Sequence, residues 1–148
     1  MRTTEAEHGR AERRHRAAAE IQTLLADLYR GLVAWASLYG DADGQYERDQ
    51  RERVAGLTDR LSNAYLARSM WLKPGARKRV EDFIDKSEEL YSRFCAEVEE
   101  QGYAQVRSGM ANRVSKQLGS LRKEAESELK DEPGGSRPSR WRMRLRRS

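Results

Sequence analysis

Proline stands only at positions 74, 133 and 138 of this chain, and the long stretches between carry apolar residues three and four apart. That combination dictates helices. A proline inside a helix removes a backbone donor and clashes with the preceding turn, so its absence leaves the backbone free to coil. The three-four spacing then gathers apolar side chains on one face. Ile21, Leu24, Leu25, Leu28, Leu32, Trp35 and Leu38 make the first such stripe, within a helix expected from Thr4 to about Tyr39. Residues 1–16 share the helix-forming composition but lack a stripe, so they read as an exposed extension.

"GDADG" breaks the pattern, with Gly40 suited to a helix C-cap and Asp43 to the next N-cap. A second helix is expected from about Gly44 to Leu72, with the stripe Tyr46, Val54, Leu57, Leu61, Ala64, Tyr65 and Trp71. Pro74 stops it or opens the next. Val80, Phe83, Ile84, Leu90, Tyr91, Phe94 and Val98 form the third stripe. Val106, Met110, Val114, Leu118, Leu121, Ala125 and Leu129 form the fourth, ending near Asp131. Gly102 leaves two arrangements open. As a turn it gives a four-helix bundle. As a residue inside one long bent helix it gives three helices, the last protruding to pair with another chain.

The predicted fold is therefore all-α: an antiparallel bundle of three to four long helices spanning residues 17–132, followed by a disordered basic C-terminal tail over 133–148. The core is lean. Leu, Ile, Val and Phe make up 24 of 148 residues, and the mean hydropathy is −0.97. A stripe that its own chain cannot cover needs a partner, so self-association, in a coiled-coil manner, is expected. Its helix–helix interface would draw on Val80, Phe83, Ile84, Tyr91, Phe94, Val98, Val106, Met110, Val114 and Leu121.

Charge is concentrated at one end of the sequence. The formal net charge is +5. Residues 133–148 contain Arg137, Arg140, Arg142, Arg144, Arg146 and Arg147 and no acid, which leaves the other 132 residues at −1. Within "RWRMRLR" the basic and apolar residues alternate. An extended backbone would set Trp141, Met143 and Leu145 on one side and the arginines on the other. Such a segment can lie along phosphates with Trp141 stacked on a base, or on an anionic lipid layer. Nucleic acid is the favoured anionic partner. The arginine-rich composition resembles that of small helical proteins from GC-rich bacterial genomes.

Asp41, Asp43, Gln45, Glu47, Asp49 and Glu52 follow the spacing of an EF-hand loop. Tyr46 stands where that turn requires Gly, and Arg48 where it requires an apolar residue, so the acids read better as helix N-terminal charges. Glu5, His8, Glu12 and His15 share a helix face, but Arg10, Arg13, Arg14 and Arg16 surround them and would repel a metal. "RVSKQLGSLRKEAESELK" has the outline of a helix-turn-helix, yet its second helix carries Glu124, Glu126 and Glu128, which phosphates would oppose. No nucleophile motif or phosphate loop is present. Cys95, the single cysteine, reads as a half-buried thiol and fits a reducing compartment. The N-terminus has no apolar stretch of the secretory kind.

The expectation is a cytoplasmic, non-enzymatic interaction module that takes no cofactor, metal or small-molecule substrate. Its partner would be itself or another helical protein, with the tail contacting nucleic acid or an anionic membrane surface. The rival readings are a protein-partner-only accessory subunit with an irrelevant tail, and a peripheral membrane-surface binder.

Overall fold

The computed structural model describes residues 2–38 and 44–130. The expected caps Gly40 and Asp43, and the tail, lie outside them. The elements are α1 (Arg2–Ala36), α2 (Gln45–Arg68), a 3-10 turn (Ser69–Trp71), α3 (Pro74–Gln101), α4 (Tyr103–Arg113), a π turn (Val114–Leu118) and α5 (Gly119–Lys130). Every regular element among the described residues is helical. The segment α4–π turn–α5 runs as one rod, so the chain builds an antiparallel four-helix bundle.

Gly102 is a turn. Its backbone sits at φ 88°, ψ 147°, a conformation that only glycine adopts at little cost. Its N–H still donates to the Val98 carbonyl at 2.8 Å, closing α3 before the chain reverses. This reversal folds the fourth stripe back onto the third. Val80, Phe83, Ile84, Phe94, Val98, Val106, Met110 and Val114 are buried, and Tyr91 and Leu121 pack against them partly buried. The expected interface residues therefore meet within one chain, together with Ile21, Leu25, Leu28, Leu32 and Trp35 of α1. A partner is not needed to cover them. The large apolar side chains left exposed among the described residues are Val33, Tyr46, Leu66 and Met70.

Tyr46 departs from the expected second stripe, being 73% exposed. Helix geometry explains the exchange. Glu47 lies seven residues before buried Val54, about 20° from its direction, whereas Tyr46 is about 80° away. Glu47 therefore points inward.

The π turn has a comparable origin in spacing. Val106, Met110, Val114 and Leu118 are each four apart, and a regular α-helix rotates such a series by about 40° per step. The wider i→i+5 turn at Val114–Leu118 takes up this rotation. All four side chains stay in the core.

Polar contacts lock the end where α1 stops. Trp35 Nε1 donates to Glu47 Oε2 at 2.8 Å, and Arg51 Nε donates to the same oxygen at 3.0 Å. A second Arg51–Glu47 ion pair completes a two-point clamp. Helix α1 has no basic residue in its last turn, so α4 supplies its C-terminal partners. The Tyr103 hydroxyl donates to the Trp35 carbonyl and accepts from Leu38 N–H at 3.0 Å. Arg107 donates to the Leu38 carbonyl at 2.8 Å. Arg113 forks onto Glu97 at 2.8 and 2.9 Å, tying α4 to α3.

Candidate anionic-partner surface

The opposite end of the bundle gathers positive charge around an aromatic side chain. Ala17 is the first buried residue of α1. About 20 Å of helix precedes it, and this projecting part carries Arg10, Arg13, Arg14 and Arg16, all exposed. The α2–α3 corner lies beside it. Arg68, Lys73, Arg77, Lys78 and Arg79 fall there, Lys78 reaching Asp82 at 3.1 Å, and no acid stands in the sequence between residues 60 and 80.

Trp71 holds the two parts together. It occupies the 3-10 turn, packs against the core on one side and takes the Arg13 guanidinium over its ring, 5.5 Å from the centroid. A groove of about 310 Å³ opens between α1 and α2, with Arg13, Arg16, Arg68 and Trp71 on its walls and Glu20 among them. Here the charge is partly answered within the chain: Arg68 reaches Glu20 at 2.6 Å and Arg16 reaches Glu12 at 3.7 Å. A second groove of about 250 Å³ is lined by Arg14, Met70, Trp71, Leu72, Lys73 and Pro74. Among the described residues no carboxylate lines it, and Met70 is 73% exposed at its edge. Trp71 borders both grooves.

Helix α5 ends at this same place. Glu124 pairs with Arg79 at 3.2 Å, and the Glu128 carboxylate packs about Gly75, in the first turn of α3. The chain thus leaves the described residues after Lys130 beside the Trp71 corner. The tail residues Arg137, Arg140, Trp141, Arg142, Arg144, Arg146 and Arg147 lie outside those residues but are joined to this end.

The remaining candidates are placed elsewhere. Asp41 and Asp43 of the calcium-like spacing lie outside the described residues. Within them, Glu47 is engaged by Trp35 and Arg51, and Asp49 accepts from Gln45 at 2.7 Å. His8, Glu12 and His15 are exposed, with Glu12 drawn to Arg16. Among the described residues no three His, Cys, Asp or Glu side chains converge as metal ligands. Gly119 lies in a continuing helix where a Cβ would meet the Tyr29 hydroxyl at ordinary contact distance, and Arg122 stacks over the Tyr29 ring at 4.4 Å. Cys95 is half-buried, and burial pushes its thiol up, so it stays protonated at neutral pH. No described helix is long and apolar enough to cross a membrane.

The sum of −1 over residues 1–132 concealed this segregation. The legible signal was the acid-free run from Arg60 to Val80, and reading Trp71 purely as a core residue obscured it. Comparison with family models, with curated proteins and with solved structures finds no match to this chain.

Proposed function

We propose that this protein is a non-enzymatic helical module that binds an anionic partner, nucleic acid foremost, through the end of the bundle where Trp71 sits. One observation carries the reading. The exposed arginines of α1, the α2–α3 corner, whose own segment from residue 60 to residue 80 holds no acid, and the point from which the Arg-rich tail continues all meet there. Phosphate binding is driven by basic side chains that release counterions. The two grooves, of about 310 and 250 Å³, lie at the low end of the roughly 300–1,000 Å³ of ordinary small-molecule sites. Self-association has less support than the sequence suggested, because the stripes it relied on are buried within the chain.

The test is fluorescence anisotropy with labelled DNA and RNA across a salt series, comparing the full chain with one ending at Glu132. Anionic phosphatidylserine vesicles form a parallel arm. The full chain is expected to bind nucleic acid, with affinity falling steeply as salt rises. The shortened chain should bind more weakly and with a shallower slope. Binding to vesicles alone would replace nucleic acid by a membrane surface. Binding to neither at low salt would overturn the reading.

A further inference from the structure

We infer that the projecting part of α1 enters the major groove of B-form duplex DNA, with Arg10 and Arg14 leading. This rests on the anionic-partner reading and names its substrate class. Much of the charge at this end of the bundle is answered within the chain. Arg68 pairs with Glu20, Lys78 with Asp82 and Arg79 with Glu124. Arg13 is held over the Trp71 ring, Arg16 reaches Glu12, and Lys73 has a partner. Arg10 and Arg14 are exposed and form no ion pair with a described residue.

Helix geometry puts these two on one edge. Arg10 lies seven residues before Ala17 and Arg14 seven before Ile21, about 20° from each. They continue the buried stripe of α1 past the point where the bundle covers it. Glu12 stands about 160° from both. Glu7 is the acid on their side, and it pairs with neither. Residues 6–16 hold four arginines against two glutamates, so the segment stays positive. It is also bare. Every residue in it is exposed except Gly9 and Ala11, which are partly so, and a Cβ on Gly9 would meet nothing within 4 Å. A helix about 10–12 Å across fits the roughly 12 Å major groove of B-form DNA. A-form RNA offers only a deep, narrow major groove that side chains cannot read, and a single strand offers none. The expected preference is therefore for duplex form.

The experiment measures binding of labelled 20-base-pair DNA and RNA duplexes of matched sequence, and of one DNA strand alone, to the full chain at the same low salt. Wild type is compared with a variant carrying Arg10→Ala and Arg14→Ala. Wild type should bind the DNA duplex about tenfold more tightly than either other polymer. The variant should lose about that factor on the DNA duplex and less than about twofold on the other two, which keep their phosphate contacts with the rest of the chain. Amide hydrogen exchange on wild type locates the contact without any substitution. Exchange over residues 6–16 should slow on adding the DNA duplex and stay unchanged with the RNA duplex. RNA duplex or single strand bound as tightly as the DNA duplex, equal losses on all three, or no protection over residues 6–16 would overturn major-groove entry while leaving the anionic-partner reading standing. Failure of wild type to bind any of the three would remove that reading itself.

Discussion

At the scale of single residues, two positions set the shape of the bundle through opposite means. Gly102 acts through backbone alone. A Cβ there would meet nothing within 4 Å, so the cost of Gly102→Ala comes from its φ of 88°. We expect a loss of about 1–3 kcal/mol, measured by urea unfolding, and an unchanged midpoint would mean the turn is not held in this conformation. Glu47 acts through its partners. Its carboxylate serves both Trp35 and Arg51 inside the bundle. Glu47→Ala strands both, and a loss of about 3 kcal/mol is expected, since breaking a buried pair leaves its partner uncompensated. Glu47→Leu with Arg51→Met should recover most of that stability. If the double variant is as unstable as the single one, the clamp does more than neutralise charge. Neither residue was legible as such. A glycine without an accompanying turn residue fits a helix as readily as a break, and an acid on an apolar phase looks like a neighbour of the stripe.

At the scale of elements, the helices were legible because their stripes are periodic and unbroken by proline, while their junctions were not. Ile21 to Trp35, Val54 to Leu61 and Val80 to Val98 all face inward as their spacing predicts. The π turn hides in the four-residue spacing from Val106 to Leu118, which reads equally as a slightly irregular α stripe. It leads to a specific expectation. Deleting Lys116, an exposed residue within the turn, converts the wide turn into an α turn and keeps both flanking stripes in phase. Deleting Lys123, exposed in regular α5, rotates Ala125 and Leu129 off the core by about 100°. The melting temperature should fall far less for the first deletion than for the second, and equal falls would contradict the register argument. The hydroxyls of Tyr65 and Tyr103 join helices to one another, and buried tyrosines make the packing sensitive to alkali. Burial raises Tyr91 to about 12, and raises Tyr65, which also donates to Glu81, and Tyr103 above the ordinary tyrosine value. Each holds its proton more tightly when folded, so its contribution is complete below about pH 10 and is lost as pH rises through the raised value. Thermal melts from pH 9 to 12 should show falling stability, and Tyr65→Phe should flatten the fall. An identical slope in that variant would remove Tyr65 from the account.

At the scale of the whole molecule, a nearly neutral body is polarised along its length. One end is closed by Glu47, Arg51, Tyr103 and Arg107, whose charges and hydroxyls are engaged with α1 and its neighbours. The other presents Arg10, Arg13, Arg14 and Arg16 on a projecting helix beside a corner whose own segment holds no acid from residue 60 to residue 80. Net charge over the body could not reveal this, because Glu47, Asp49 and Glu52 at the start of α2 and Glu97, Glu99 and Glu100 near the end of α3 balance the sum from the opposite end, while Glu124 and Glu128 answer only part of the charge at the Trp71 end. The topology of α1, α2, α3 and α5 decides which charges become neighbours. The central claim is that location, rather than net charge, makes the binding surface. The most direct measurement compares oligonucleotide affinity of two full-length variants with equal charge change. One carries Arg13→Glu and Arg14→Glu at the Trp71 end, the other Arg48→Glu and Arg53→Glu toward the opposite end. All four side chains are exposed. The account predicts that the first pair loses about tenfold or more in affinity at low salt and the second no more than a small part of that. Equal losses from the two pairs, or none from the first, would contradict it.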